Sequence, residues 1–155
     1  MVEIDTYFRI NNEFVLIEEF SNQFSDIDYI EGAIILKINS VTILSLETWD
    51  YIDQLWAYII NGLETIMLKE NYFTYFPDQA IGFSLETKGK DLVKVSIDYD
   101  NGRSAVISKN DFILCICEEG RKFFNKMLNL VPSYKSSWVE YIDKINKIEK
   151  QLIHN

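Results

Sequence analysis

Residues 81–107 read IGFSLETKGKDLVKVSIDYDNGRSAVI. Three runs within them, Ile81–Thr87, Leu92–Tyr99 and Arg103–Ile107, have the composition of β-strands. Lys88-Gly89-Lys90 turns the first pair and Asp100-Asn101-Gly102 the second. Asn-Gly is a strong hairpin signal, because both central residues of a type I′ turn need positive φ. Strands joined by so few residues pair antiparallel, since a parallel partner needs a long crossover.

The N-terminal third repeats this pattern. Val2–Ile10 alternates apolar and polar residues, Asn11-Asn12 marks a turn, and Phe14–Ile17 returns. Ser21–Asp28 is polar and acidic and reads as a surface loop. Tyr29–Ile38 and Val41–Leu46 are apolar, β-branched runs split by Asn39-Ser40, which predicts a second hairpin.

Three segments switch to helical periodicity. Thr48 reads as an N-cap with Asp50 in the first turn, and the helix is expected to run to about Lys69. Trp49, Ile52, Trp56, Ile59, Leu63 and Ile66 form its stripe, widened by Tyr51, Leu55 and Tyr58, so this should be the most buried helix. Gly62 inside it costs about 1 kcal/mol of helix propensity relative to Ala, which close approach of another element would explain. Ser108 with Asp111 starts a second helix, whose stripe carries Phe112, Ile116, Gly120, Phe123 and Met127. Pro132 ends it, and Ser137 with Glu140 predicts a capping box for a third helix buried through Trp138, Ile142, Ile145, Ile148 and Leu152. Glu140–Lys144 and Asp143–Lys147 have i,i+4 spacing for ion pairs on that helix. The expected order is β-β-β-β-α-β-β-β-α-α. That is one α+β domain over residues 1–155, with a curved antiparallel sheet of about six to seven strands, helices on one face or end, and a frayed C-terminus.

A net charge of −9 disfavours nucleic acid and anionic membranes and favours a basic partner, or solubility alone. The balance is −8 over residues 1–50, −4 over 51–100 and +3 over 101–155, which places the acid in the N-terminal half. The N-terminal MVEIDTYFRI lacks a basic start and an apolar core, and no apolar run spans a bilayer, so a cytoplasmic protein is expected. Abundant Ile, Asn and Lys with scarce Ala suit a low-GC bacterial genome.

Catalytic signatures are thin. The single histidine, His154, stands next to the C-terminus, which removes Ser-His-Asp, Cys-His and multi-histidine zinc arrangements. Cys115 and Cys117 are too close for an ordinary disulfide and read as small core residues in a reducing compartment. Asp98–Gly102 resembles an EF-hand start, but its glycine comes one position early and Lys109 stands where the bidentate Glu is needed. Asp26-Ile27-Asp28 is a chance-level DxD pair. No metal, no cofactor and no catalytic residue is assigned.

Two stretches remain as candidate partner-binding residues. Asp26, Asp28 and Glu31 lie in an acidic segment suited to electrostatic docking, or to solubility alone. In the loop Asn71–Ala80, NYFTYFPDQA, Tyr72, Tyr75, Asp78 and Gln79 are expected at the surface, with Phe73 and Phe76 as anchors. With its size, acidity and layout, and with Tyr75-Phe76-Pro77-Asp78-Gln79 following a Trp/Tyr-rich helix (Trp49, Tyr51, Trp56, Tyr58), the chain resembles bacterial polymorphic-toxin immunity proteins. That resemblance implies a stoichiometric inhibitor of a basic toxin domain, without chemistry of its own, and it transfers no individual residue. The alternative is a small-ligand-binding domain or carboxylate-based enzyme with a pocket near residues 72–79.

Overall fold

The computed structural model describes residues 1–154. Strands β1 (Val2–Ile10), β2 (Glu13–Leu16), β3 (Glu31–Ile38), β4 (Val41–Leu44) and the two-residue β5 (Asp50–Tyr51) form a first sheet. Its order is β2-β1-β3-β4, with β5 also pairing with β3, and all pairs are antiparallel. Strands β6 (Tyr72–Tyr75), β7 (Gly82–Lys88), β8 (Leu92–Asp98) and β9 (Arg103–Ser108) form a second antiparallel sheet in sequence order. Helices α1 (Ile52–Met67), α2 (Lys109–Leu130) and α3 (Lys135–Ile153) complete an α+β fold of order β-β-β-β-α-β-β-β-β-α-α, with β5 as a short addendum.

The strands thus divide between two sheets. β4 lies beside β9, and Asn39 Nδ2 donates to the Val106 carbonyl at 3.5 Å across the seam. The turns follow local backbone preference: Asn11, Asn12, Asn39, Ser40, Asp100 and Asn101 all have positive φ.

Helices α1 and α2 pack against both sheets, and α3 packs on α2 and α1. One continuous core runs through all of them. Nine of the 16 residues of α1 are buried, against eight of 22 in α2 and three of 19 in α3, so α1 is the central element. Both helical glycines sit at close approaches. A Cβ on Gly62 would lie 2.7 Å from Tyr72 Cδ2, and one on Gly120 would lie 3.2 Å from Ile60 Cδ1 and 3.3 Å from Trp56 Cζ3.

Several expected boundaries move. α1 begins at Ile52, because Leu46–Thr48 form a 3₁₀ turn capped by Ser45 and the chain then extends through β5. Trp49 therefore lies outside the helix, half-buried, with the Arg9 guanidinium 3.9 Å above its ring. Asp50 is a buried strand residue instead of a first-turn carboxylate. α3 starts at Lys135, directly after the 3₁₀ turn Pro132–Tyr134, so Ser137 is an internal position and not a cap. Lys144 reaches off α3 to Asn61 at 3.2 Å and Glu64 at 3.7 Å on α1, in place of Glu140. α3 holds to Ile153; Asn155, the last residue of the expected frayed end, lies outside the described residues. No helix among the described residues is long and apolar enough to cross a membrane.

Candidate functional site

The segment 72–79 differs most from its sequence reading. Tyr72–Tyr75 is strand β6, so its side chains alternate between faces. Tyr72 turns inward onto Gly62, and its hydroxyl donates to the Tyr58 carbonyl at 2.7 Å. Burial pushes the Tyr72 phenol above its ordinary pKa. Phe73, expected as an anchor, is exposed and meets exposed Tyr75 edge to face, ring centroids 4.9 Å apart. Phe76 is buried as expected.

The turn after β6 is held from below by Asp50. Its Oδ2 accepts the backbone N–H groups of Asp78 at 3.1 Å and Gln79 at 2.9 Å, and its Oδ1 accepts that of Tyr51 at 2.7 Å. Gln79 Nε2 donates to the Trp49 carbonyl, so this side chain fastens the turn to the approach of α1 and is only partly exposed. Asp78 stays exposed, and its carboxylate makes no hydrogen bond or ion pair among the described residues.

This anchoring brings the two candidate stretches to one place, the N-terminal end of α1. Tyr51, just ahead of that helix, has its phenol pKa raised by burial first and then by the charges of Asp78 and Glu31. Its ring lies 5.5 Å from that of exposed Tyr29. Glu31 pairs with Arg9 at 2.9 Å. Asp26 and Glu31 line a recess of about 280 Å³ with Arg9, Phe24 and Tyr29. Asp26 Oδ1 accepts the Asp28 backbone N–H at 2.9 Å, which orders the acidic loop. Asp28 in turn accepts the Tyr134 hydroxyl, and that bond raises the Tyr134 phenol pKa.

Of the seven residues singled out from sequence, Asp26, Asp28, Glu31 and Asp78 thus surround one end of α1. Tyr72 and Gln79 serve the fold, and Tyr75 lies with Phe73 on the outward side of β6. Tyr29, Tyr51 and Tyr134 join the face through pairings between distant segments, which no local pattern marks.

Behind Tyr134 a second feature opens. A groove of about 340 Å³ runs between α1 and α3, lined by Asp53, Tyr58, Phe124, Tyr134, Trp138 and Tyr141 among others. By contrast, the recess beside β6, about 240 Å³ between Tyr72, Phe73 and Glu86, holds no converging pair of carboxylates. This groove is on the helical side and is not lined by residues 72–79.

The cysteines have core environments. Cys117 is buried, with its thiol pushed up to about 11, and burial also raises Cys115. Both shifts disfavour the nucleophilic thiolate. No group of three or more potential metal ligands occurs among the described residues. No protein-family model matches the chain, and neither does any curated protein or solved structure.

Proposed function

We propose that this is a non-catalytic interaction protein that docks a basic protein partner on the face at the N-terminal end of α1, as an immunity-type inhibitor of a basic toxin domain would. The observation that carries the reading is the gathering of Asp26, Asp28, Glu31 and Asp78 around Tyr29 and Tyr51. Arg9 is the one cation paired within this group, and it is committed to Glu31 and the Trp49 ring. Exposed Asp26, Asp28 and Asp78 around exposed Tyr29 combine electrostatic steering with desolvatable contact area. The net charge of −9 adds long-range attraction for a basic partner.

Capture from a cell extract, followed by reconstitution with the purified captured protein, tests this reading. The expected result is a stoichiometric complex with a basic protein whose association rate falls with ionic strength. The rate should fall further in Asp26→Lys and Asp78→Lys, because these exposed charges steer the encounter. A complex indifferent to salt and to both reversals, or turnover of a small molecule by the purified protein alone, would overturn it.

A further inference from the structure

The aromatic groove behind Tyr134 contains an ionisable group that the docking reading does not use. Asp53 is in the first turn of α1 and lines the groove. Its Oδ1 is buried and has no hydrogen-bond partner among the described residues. No Lys or Arg among the described ion pairs engages it. Burial raises its carboxyl pKa, against a smaller opposing pull from the backbone N–H groups of Gln54 and of Asp53 itself. A carboxylate withdrawn from water without a cationic partner is costly, and a cation supplied from outside would relieve that cost.

The walls fit such a cation. Phe124 and Tyr141 stack at 5.2 Å, Phe124 and Trp138 lie 6.2 Å apart, and Tyr134 meets Trp138 edge to face at 6.3 Å. The Trp138 indole N–H is spent on the Val131 carbonyl at 2.9 Å, and with the residue 4% exposed its ring backs Tyr134 at the groove floor without offering a donor. Aromatic faces attract ammonium groups through their quadrupole while packing against an apolar body. Tyr141 is already engaged, by Phe124 and by Lys144 Nζ 5.0 Å from its centroid, and that lysine is bound to Asn61 and Glu64 and forms no ion pair with Asp53. Asp28, bonded to Tyr134, adds negative potential beside the groove. About 340 Å³ is at the small end of the range for ligand pockets.

We infer that the groove between α1 and α3 is a binding site for a small organic ammonium ion, with Asp53 as counter-ion and Tyr134, backed by Trp138, as its aromatic wall. The site would hold its ligand without covalent chemistry, and it shares Tyr134 with the docking face.

The test uses the purified protein and phenethylammonium as probe, followed by intrinsic tryptophan fluorescence and by side-chain NMR shifts, with the Trp138 indole resonance as the local reporter. Saturable binding confined to resonances of the groove is expected. Uncharged 2-phenylethanol, nearly the same shape, should bind at least tenfold more weakly. Asp53→Asn should abolish that discrimination while keeping the native spectrum, and Ser137→Phe, from an exposed groove position, should block binding with the carboxylate intact. Absence of saturable phenethylammonium binding, or discrimination that survives Asp53→Asn, would overturn the assignment. So would tighter binding of Nα-acetyl-lysine methylamide, which would give the groove to a lysine of a polypeptide.

Discussion

The carboxylate of Asp50, 1% exposed, accepts the backbone N–H of Gln79 at 2.9 Å, and by that bond a loop 29 residues downstream is tied to the start of α1. The same Oδ2 takes the Asp78 N–H, so one buried side chain sets where the exposed Asp78 stands relative to Glu31 and Tyr51. A charged acceptor serving three backbone donors is both strong and expensive to remove.

Asp50→Ala leaves the amides of Tyr51, Asp78 and Gln79 without their acceptor. Hydrogen bonds to a charged group contribute about 1.5–3 kcal/mol each, so a loss of at least about 3 kcal/mol is expected. Urea unfolding measures it, and hydrogen exchange at Asp78 and Gln79, in the turn, should quicken well before that in β7. A midpoint within error of wild type would show that the turn holds itself.

Trp56 is fully buried against Phe123, and its indole N–H donates to Thr6 Oγ1 at 3.3 Å. Trp56→Ala should cost about 3–5 kcal/mol, as large-to-small core changes do. Thr6→Val should cost about 1–3 kcal/mol by orphaning the indole N–H, and much less in a Trp56→Phe background, where there is no donor to orphan. Additive losses in that double-mutant cycle would remove the hydrogen bond from the account.

Gly62→Ala sets two effects against each other. Helix propensity favours alanine by about 1 kcal/mol. The Tyr72 ring, 2.7 Å from the new Cβ, and Leu85 Cδ1 at 3.0 Å oppose it, and overpacking typically costs about 1–3 kcal/mol. A net loss of stability is expected in wild type and a smaller loss, or a gain, in a Tyr72→Ala background. Thermal midpoints of the four proteins decide it.

Asp53 makes a prediction about pH. Its folded-state pKa is raised, so the native protein holds this proton more tightly than the unfolded chain does. The resulting stabilisation is fully present below the ordinary aspartate value of 3.8 and is lost as pH rises through the raised folded value. Its position in the first turn favours the charge, but the backbone N–H groups that express that preference are already outweighed by burial. Asp53→Asn should therefore unfold at higher urea than wild type at neutral pH, with the difference shrinking toward pH 3. A variant less stable at neutral pH would reverse the sign.

With its pKa at about 11, the Cys117 thiol is ionised to on the order of one part in a thousand at pH 8. Burial blocks reagent access as well. Iodoacetamide should leave Cys117 unmodified in the folded protein and label Cys115 slowly, with both reacting in urea. Rapid native labelling at Cys117 would show that α2 opens.

What the sequence determined alone are the features whose cause is local. Asn11-Asn12, Asn39-Ser40 and Asp100-Asn101-Gly102 turn because Asn, Asp and Gly take positive φ at lower cost than other residues, and Ser40 follows Asn39 into it. The α1 stripe and the two buried glycines follow from helical period and close packing, and α1 is accordingly the most buried helix. The face of β6 was not legible, because Tyr72-Phe73-Thr74-Tyr75 is aromatic at both parities and alternation cannot say which ring points inward. Tertiary packing decided it: Gly62 leaves room for Tyr72, and Phe73 is turned out. The start of α1 was misplaced because Asp50, a good first-turn residue by type, is recruited by amides 28 and 29 residues away. The acidic face and the Asp53 groove depend on the same kind of contact. Tyr134 reaches Asp28 across 106 residues, and the groove exists only where α1 and α3 pack side by side. Periodicity and propensity describe neighbours along the chain, whereas these sites are made by neighbours in space.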